Sequence, residues 1–247
     1  MEKKEHLIFG IRTIIEAINA GKTIEKLFIQ NDLNGTLISE LRKLIKEKNI
    51  TYSHVPVQKI NKLTKNDSNH QGVVATITPI ETFDVEDLVN ELIETKKTPL
   101  LLLLDNITDV RNFGAICRTA ECAGVDAIIV PNRGAAPING DAIKTSAGAL
   151  HRIPVCKVEN LTDTVFLLQQ LDVKIVGCTE KTETTLYDGD YTPATAIIMG
   201  SEDRGISNQL LRLCDYKAKI PMAGDIASLN VSVAAGIILF EAVKQRG

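Results

Sequence analysis

A chain of 247 residues, 44% of them hydrophobic and 24% charged, has the composition of a globular protein with one large core or two smaller ones. Its longest strongly apolar run, residues 100–104, is far shorter than the about 20 residues of a membrane-spanning helix, and residues 1–10 hold no long apolar segment of the secretory kind. We therefore expect a cytoplasmic protein. The five cysteines form no C-x-x-C pair and the four histidines no H-E-x-x-H pattern, so neither a disulfide framework nor a metal site is predicted.

The net charge of −3 hides a difference between segments. Residues 1–80 carry 12 Lys/Arg and 8 Asp/Glu, residues 81–98 carry 2 and 6, and residues 99–247 carry 14 and 17. A mildly basic N-terminal part followed by an acidic connector is compatible with RNA contact through one face. The charge by itself favours an ordinary solvated surface.

The N-terminal part predicts a small α/β domain over residues 1–78. Isoleucines at positions 11, 14, 15 and 18 follow the spacing of one helix face, and leucines and isoleucines between positions 37 and 45 do the same. Short apolar runs between these segments are typical of strands, and the polar residues 61–72 indicate a surface loop. The predicted helices are residues 10–20 and 37–48, and the predicted strands are residues 26–30, 51–55 and 72–77.

An acidic segment, residues 79–98, predicts a linker with a connector helix over residues 85–93. Beyond it, apolar strand candidates alternate with helical or polar segments, which is the βαβ pattern of a parallel sheet. The C-terminal domain is therefore assigned to residues 99–247, with a closing helix at residues 232–245. Its strand candidates are residues 100–104, 127–130, 174–178 and 196–199.

No G-x-G-x-x-G follows a strand candidate and no G-x-x-x-x-G-K-[ST] occurs, which weakens the usual dinucleotide and P-loop interpretations. Ligand binding must then come from other loops. Three polar clusters follow stretches rich in apolar residues: residues 106–118, 200–205 and 220–230. Loops at strand ends are where an α/β domain builds its ligand site, so these clusters are the candidates.

The first cluster contains Asn112 and, six residues later, Arg118. Arg118 could share a site with the loop only if the helix begins near Phe113. The alternative is an arginine that pairs with Glu121 on a solvated helix face. Gly114 would allow close approach of the backbone near the helix start.

The other two clusters also admit purely structural roles. Glu202 or Asp203 could do no more than interact favourably with the dipole of the helix that follows. Ser228 or Asn230 could be the N-cap of the closing helix. No single cluster decides between a structural and a functional role.

Taken together, NITDVRNFGAICR, GSEDRG and IPMAGDIASLN resemble the three sequence motifs of the SpoU/TrmH branch of the SPOUT RNA 2′-O-ribose methyltransferases. The resemblance spans the chain, because the N-terminal part is similar to the small substrate-binding domain of that family, including HQG-V at residues 70–73. It implies an α/β fold: a SPOUT-type, trefoil-knotted, parallel-sheet methyltransferase domain with a smaller N-terminal α/β substrate-binding domain. It also implies a homodimer with the methyl-donor site near the subunit interface.

The cofactor that the resemblance implies is S-adenosylmethionine, and it implies no metal. The corresponding cofactor-binding positions, which act largely through backbone groups, are Gly200, Ile220 and Leu229, with Thr179 and Pro221 in neighbouring loops. The corresponding catalytic positions are Asn112, Arg118, Glu202, Ser228 and Asn230.

In such a reaction a ribose hydroxyl attacks a methyl group on a sulfonium, and alignment of the reacting atoms can contribute about 7–11 kcal/mol. A guanidinium group stays protonated, so we expect Arg118 to grip an RNA phosphate and stabilise developing negative charge rather than act as a base. Glu202, Ser228 and Asn230 would orient Arg118, the ribose or the cofactor.

The two-domain layout is most similar to the RlmB-like members, so we expect methylation of a guanosine 2′-hydroxyl in large-subunit (23S) ribosomal RNA. Transfer RNA is the nearest alternative substrate. A catalytically inactive RNA-binding module acting in ribosome assembly is an alternative of another class. A nucleotide-dependent metabolic enzyme is disfavoured by the missing glycine fingerprint.

Overall fold

The computed structural model describes residues 7–64, 68–95, 98–225 and 228–247. The chain forms two compact units: Met1–Glu81 with Ile138–Gly140, and Thr82–Pro137 with Asp141–Gly247. Each unit has its own sheet and its own hydrophobic core. None of the helices in the described ranges combines the length and apolar character that crossing a bilayer requires.

In its described residues the N-terminal unit contains a four-stranded sheet with the strand order β1-β4-β2-β3. Strand β4 is antiparallel to β1 and β2, and β2 is parallel to β3. The evenly spaced isoleucines of α1 and α2 pack on one face of this sheet. The elements are β1 (Leu7–Phe9), α1 (Ile11–Asn19), β2 (Ile24–Gln30), α2 (Thr36–Glu47), β3 (Ser53–Val55), α3 (Val57–Leu63) and β4 (Val73–Ile77).

Two elements of this unit do not follow from the sequence pattern. Strand β1 has three residues, too few to show an alternation. Helix α3 buries only Ile60, so its helical periodicity is weak. The predicted loop at residues 61–72 is therefore wrong at its start, where α3 continues to Leu63, and residues 65–67 lie outside the described residues.

The HQG residues, 70–72, close the turn before β4. The His70 ring accepts a hydrogen bond from the backbone N–H of Gly72 at 2.8 Å through Nδ1, and its Nε2 lies 2.8 Å from Oδ1 of Asn61. Gln71 accepts from the backbone N–H of Ile11 at 3.0 Å. Positive φ angles at Gln71 (51°) and Gly72 (74°) make this turn possible, so the motif has a structural role here.

In its described residues the C-terminal unit contains a six-stranded sheet in the order β10-β8-β9-β5-β6-β7, and every pair is parallel. This confirms the predicted α/β fold with a parallel sheet. The strands are β5 (Leu100–Asp105), β6 (Ala127–Pro131), β7 (Val155–Val158), β8 (Lys174–Cys178), β9 (Thr195–Gly200) and β10 (Tyr216–Ala218). The helices are α4 (Val85–Glu94), α5 (Val110–Cys122), α6 (Gly140–Thr145), α7 (Leu161–Gln170), α8 (Asn208–Leu213) and α9 (Val231–Arg246).

The central strands are continuous apolar runs because both faces of the sheet are covered, and every residue of β5 is buried. Strands β7 and β10 were not predicted. They lie at the two edges of the sheet, have four and three residues, and each includes a lysine, so neither forms a clear apolar run.

Helix α4 lies within residues 79–98, the segment predicted as an acidic linker. Asp84 is its N-cap and accepts hydrogen bonds from the backbone N–H groups of Glu86 and Asp87. Val85 and Val89 are buried in the core of the C-terminal unit. The segment therefore contributes a packed helix to that unit, and residues 96–97 lie outside the described residues.

Candidate active site

Three polar side chains from distant parts of the sequence meet beyond the carboxyl ends of β5 and β9. Asn112 donates from Nδ2 to Oε1 of Glu202 at 3.1 Å, and Asn230 donates from Nδ2 to the same oxygen at 2.5 Å. Asn230 also donates to Oδ1 of Asn112 at 3.0 Å. Each polar cluster of the sequence thus contributes one member to a single hydrogen-bonded group, which we call the Asn–Glu–Asn cluster.

Helix ends hold two members of the cluster in place. Asn112 is the third residue of α5, which begins after the N-cap Asp109; the Asp109 side chain accepts from the backbone N–H of Asn112 at 2.8 Å. Asn230 is the N-cap of α9 and accepts from the backbone N–H of Ser232 at 3.0 Å. Asn230 is thus an N-cap, as the sequence allowed, and its role as a site residue stays a prediction that is compatible with the cap, because its amide oxygen and nitrogen serve different partners.

Glu202 also lies at a helix N-terminus, although not that of the next helix in the chain. Its Oε1 accepts from the backbone N–H of Val231, the first residue of α9, at 3.1 Å. A carboxylate at this position interacts favourably with the helix dipole. One oxygen of Glu202 therefore joins the side chains of Asn112 and Asn230 to the start of α9.

Arg118 is not brought to this cluster within one chain. Helix α5 begins at Val110, ahead of Phe113, so Asn112 is already helical. A separation of six residues then moves Arg118 about 9 Å along the axis and to a different face of the helix. The expected joint site of Arg118 with the loop is thus not formed by this chain alone.

The alternative pairing of Arg118 with Glu121 is not observed either. Glu121 lies 3.8 Å from the guanidinium group of Arg152. Arg118 is exposed, and no hydrogen bond or ion pair joins it to another residue in the described ranges. Its charge is therefore available to an outside partner.

A cavity of about 380 Å³ adjoins the Asn–Glu–Asn cluster. This volume falls within the range of typical small-molecule binding sites, which is about 300–1,000 Å³. Most of the predicted cofactor positions line it, together with two of the predicted catalytic positions. These residues are Thr179, Gly200, Ile220, Leu229, Glu202 and Ser228.

Not every predicted residue lines the cavity. Pro221 is exposed and is not part of the wall, and Asn112, Asn230 and Arg118 also lie outside it. Residues 226–227 of the third motif lie outside the described residues. The wall thus combines the ends of β8 and β9 with the described parts of residues 220–231.

Sequence reasoning missed several residues of the wall. Cys178, Glu180 and Lys181 line it from the end of β8, and Met199 and Met222 add apolar surface. The available signal was position: Cys178 ends a predicted strand and residues 179–181 directly follow it, at the sheet edge where ligands bind in α/β proteins.

A tight turn at residues 200–205 shapes the cavity. The backbone N–H of Gly205 donates to the carbonyl of Ser201 at 2.8 Å, and Gly205 has a φ of 68°. A Cβ on Gly200 would lie 2.0 Å from the carbonyl carbon of Gly205. Only glycine fits at position 200, because the returning backbone occupies the place of a side chain.

Gly114 permits a close approach near the start of α5, as expected, and the group that approaches it is another helix. A Cβ there would lie 2.6 Å from Cβ of Thr145 and 3.1 Å from the carbonyl oxygen of Ala142, so its lack of a side chain lets α5 approach α6. This glycine serves helix packing.

Burial, and to a smaller extent the negative charge of Glu180, raises the pKa of the Cys178 thiol to about 12. This thiol stays protonated at neutral pH and is not a nucleophile. Within the described residues, no group of His, Cys, Asp or Glu side chains could hold a metal ion. The site therefore offers hydrogen-bonding groups, carboxylates and apolar walls.

Two family models match the chain. The model of the SpoU rRNA Methylase family matches residues 99–240, and the model for RNA 2′-O ribose methyltransferase substrate binding matches residues 7–83.

Curated relatives and solved structures give the same grouping. The 23S rRNA (guanosine-2′-O-)-methyltransferase RlmB of Photobacterium profundum is 38% identical over 242 residues, which cover 97% of this chain and 98% of that protein. The protein of the same name from Yersinia pestis is 44% identical over 178 residues, or 72% of each chain. The SpoU methyltransferase AviRb from Streptomyces viridochromogenes, crystallised with AdoMet, is 27% identical with a TM-score of 0.61, covering 97% of this chain and 90% of that chain.

The methylase model alone covers more than half of the chain, and it matches the unit that holds the Asn–Glu–Asn cluster and the cavity. These findings confirm the resemblance that the three motifs indicated. The protein belongs to the SpoU rRNA methylase family.

Proposed function

We propose that this protein transfers a methyl group from S-adenosylmethionine to the 2′-hydroxyl of a guanosine in 23S ribosomal RNA. The observation that carries the proposal is the meeting of Asn112, Glu202 and Asn230 beside a cavity of cofactor size. The names of the relatives from P. profundum and Y. pestis support guanosine and 23S ribosomal RNA as the substrate.

The cavity suits S-adenosylmethionine in volume and in chemistry. Met199, Ile220 and Leu229 provide apolar cover for the adenine faces, and the turn that begins at Gly200 brings backbone groups close to the ligand. The carboxylates of the wall, including that of Glu202, suit a ligand whose sulfur is positively charged. Gly200, Ile220, Leu229 and Thr179 would hold the cofactor.

In methyl transfer the ribose oxygen would form a bond to the methyl carbon, the carbon–sulfur bond would break with its electron pair staying on sulfur, and the hydroxyl proton would pass to solvent water. S-adenosylmethionine, when bound, supplies a methyl group activated by its positive sulfur. The protein has to align oxygen, carbon and sulfur, which can contribute about 7–11 kcal/mol. The mutual hydrogen bonds of Asn112, Glu202 and Asn230 fix a polar surface for this purpose, and Ser228 in the cavity wall would help to orient the ribose.

We assign Arg118 the role of a cationic clamp on the RNA. Its guanidinium group stays protonated at neutral pH, so it would bind an RNA phosphate and stabilise negative charge that develops on the ribose oxygen. Because Arg118 and Asn112 lie on different faces of α5, the arginine would act at the site of a second subunit.

We propose a homodimer, and exposed apolar side chains on α9 support it. Val233 is 51% exposed and Phe240 50% exposed; a spacing of seven residues puts them on one face of this helix, with the half-buried Ile237 between them. Helix α5, which carries Arg118, packs beside α9. A second copy of the chain docking on this face would bury the apolar side chains. It would also bring its own Arg118 close to the Asn–Glu–Asn cluster of the first copy. We also propose that the methyltransferase domain contains the trefoil knot that the family resemblance implies.

The N-terminal unit is proposed to bind the RNA. Residues 7–83 match the substrate-binding model, and residues 1–80 carry 12 basic against 8 acidic residues. We retain residues 1–78 as the proposed RNA-binding domain and residues 99–247 as the proposed methyltransferase domain, to which the segment 79–98 adds the packed helix α4. Modification of ribosomal RNA would place the protein in the cytoplasm.

The test is methyl transfer from radiolabelled S-adenosylmethionine to 23S ribosomal RNA, to transfer RNA, and to a sample without RNA. We expect label in ribosomal RNA, located on a guanosine ribose by nuclease digestion and mass spectrometry. Label only in transfer RNA would mean that transfer RNA, and not ribosomal RNA, is the substrate. Cofactor binding without methyl transfer to either RNA would favour the inactive RNA-binding module. The Glu202→Ala variant serves as the control for label that does not come from this site.

A further inference from the structure

Glu180 stands two residues beyond the end of β8 and lines the cavity. Its Oε1 lies 4.0 Å from the position that a Cβ on Gly205 would take, so the carboxylate is directed toward the turn at residues 200–205. Its charge also acts on the thiol of Cys178. Within the described ranges no hydrogen bond or ion pair joins Glu180 to another residue.

Two other polar side chains of the cavity wall already have partners. The hydroxyl of the buried Thr179 accepts from the backbone N–H of Lys181 at 3.2 Å. Glu202 accepts from Asn112, Asn230 and Val231. Glu180 is therefore a cavity carboxylate with its acceptor positions open.

Asp203 is the rival carboxylate, since it also lines the cavity. It lies in the middle of the exposed turn between Ser201 and Gly205, whereas Glu180, although exposed too, directly follows Thr179, which is buried at the end of an inner strand. A residue next to a buried anchor at a strand end is positioned more accurately than one in the middle of a turn. The geometry favours Glu180 over Asp203 as the carboxylate that binds a polar group of the ligand.

A carboxylate is an acceptor-only group with two oxygens, so it matches two neighbouring hydroxyl donors. In doubly wound sheets, an acidic residue near a strand end often binds the ribose of a nucleotide cofactor in this way. Here the same strand-end position lies beside β9, whose last residue, Gly200, permits close backbone approach. The sheet thus presents a hydroxyl acceptor next to the proposed adenosine pocket.

We propose that Glu180 accepts hydrogen bonds from the 2′- and 3′-hydroxyls of the adenosyl ribose and so recognises the adenosyl group of the cofactor. This inference rests on the proposed function, because it assumes an adenosyl cofactor. It deepens that function by assigning the recognition of the cofactor ribose to a residue outside the three motifs.

The test measures binding of S-adenosylhomocysteine and of its 2′,3′-dideoxy counterpart by isothermal titration calorimetry, without RNA and without turnover. Hydrogen bonds to a charged group are worth about a factor of 10 to 100 in affinity. We expect Glu180→Ala to weaken S-adenosylhomocysteine binding about 10-fold or more and to leave the affinity of the dideoxy compound unchanged. Glu180→Gln, which keeps one acceptor oxygen, should lie in between.

The exposed Glu91 of α4 provides the matched control, since Glu91→Gln makes the same charge change as Glu180→Gln at a residue that does not line the cavity. This variant should bind both compounds like the wild type. Circular dichroism and thermal unfolding of each variant check that it is folded.

If Glu180→Ala weakens the binding of both compounds equally, the proposal is overturned. It is also overturned if Asp203→Asn, and not Glu180→Ala, weakens binding of S-adenosylhomocysteine while leaving binding of the dideoxy compound unchanged. Weakened S-adenosylmethionine binding with unchanged S-adenosylhomocysteine binding would mean that Glu180 senses the sulfonium charge, which also overturns it. If the wild type binds neither compound, the proposed cofactor fails, and the inference fails with it. Binding without discrimination between the two compounds overturns the Glu180 assignment alone.

Discussion

Asn230 illustrates how one side chain can serve both the fold and the site. Its Oδ1 accepts from the backbone N–H of Ser232 and caps α9, while its Nδ2 donates to Glu202 and Asn112. Serine can form such a cap but has no amide nitrogen, so the choice of asparagine follows from the second role.

We predict that Asn230→Ser retains the cap and loses the donor. Its free energy of unfolding, measured by urea titration, should fall by about 1.5 kcal/mol through the lost hydrogen bond to Glu202 and not through the cap, since both residues are good caps. Methyl transfer should fall at least about 10-fold, because a lost hydrogen bond to a charged group is worth about 1.5 kcal/mol or more. Asn230→Ala should lose about 1 kcal/mol of stability in addition. Full activity in Asn230→Ser would mean that the amide donor is unnecessary.

Cys156 gives a pH-dependent stability prediction. Burial, together with the charge of Asp84, raises the pKa of this thiol from 9.0 to about 12. The unfolded chain therefore loses the thiol proton at lower pH than the folded chain does. The stabilisation is complete below pH 9 and is lost as the pH rises toward 12.

Relative to Cys156→Ala, the wild type should lose about 1.4 kcal/mol of unfolding free energy per pH unit above the unfolded-state pKa. Urea titrations of both proteins from pH 8 to the highest pH at which both remain folded would measure this difference. A difference that does not change with pH would contradict the prediction.

At the scale of elements, the turn at residues 200–205 controls the shape of the cavity. We predict that Gly200→Ala destabilises the protein by about 3 kcal/mol or more, because overpacking against backbone that cannot move exceeds the usual cost. The clash is with Gly205, where the distance would be 2.0 Å. Binding of S-adenosylhomocysteine should be lost as well.

Gly140→Ala is the matched control for the turn, since a Cβ at that position meets nothing within 4 Å. It should unfold at the same urea concentration as the wild type or slightly higher. A Gly200→Ala protein with normal stability would show that the two arms of the turn can separate.

The far end of α9 is held by Arg246. Its Nε donates to the carbonyl of Tyr191 at 2.8 Å, Nη1 to that of Thr98 at 2.6 Å, and Nη2 to that of Pro193 at 2.6 Å. A planar guanidinium group can reach such divergent acceptors, whereas an ammonium group cannot reach all of them.

We predict that Arg246→Ala lowers the free energy of unfolding by about 1–2 kcal/mol, because the carbonyl groups of Tyr191, Thr98 and Pro193 lose a charged donor and only that of Tyr191 belongs to a buried residue. Arg246→Lys should recover only part of this loss. Arg133→Ala, at an exposed arginine, is the control and should leave the urea midpoint unchanged. A midpoint for Arg246→Ala equal to that of the control would exclude the anchoring role.

At the scale of the whole molecule, the proposed dimer makes a complementation experiment possible. Arg118→Ala and Glu202→Ala homodimers should both be inactive. A heterodimer of the two variants, purified through two different affinity tags, contains one site with Glu202 from one chain and Arg118 from the other. It should regain about half of the wild-type activity, because a two-fold dimer has two equivalent sites.

An inactive heterodimer would mean that Arg118 acts in its own chain or has no role in the reaction. A monomer in analytical ultracentrifugation would make the proposed homodimer wrong. Since the ultracentrifugation needs no substrate, the oligomeric state is tested independently of the chemistry.

Much of the fold follows from local patterns. The isoleucines of α1 recur at helical spacing, and the apolar runs of β5, β6, β8 and β9 identify the central strands within one or two residues at each end. The short edge strands β7 and β10 and the weakly periodic α3 escape prediction. Their positions depend on neighbours that the local sequence does not specify.

The alternation of strands and helices, the three motifs and the family can be read from the amino-acid sequence, because they depend on residue type and spacing along the chain. Which side chains meet depends on how the chain folds in three dimensions. Strand β9 lies between β8 and β5, so its end brings Glu202 to Asn112, 90 residues away, and to the start of α9. The same packing begins α5 at Val110 and turns Arg118 away from Asn112, since helix starts and strand order are set by how apolar faces are buried together.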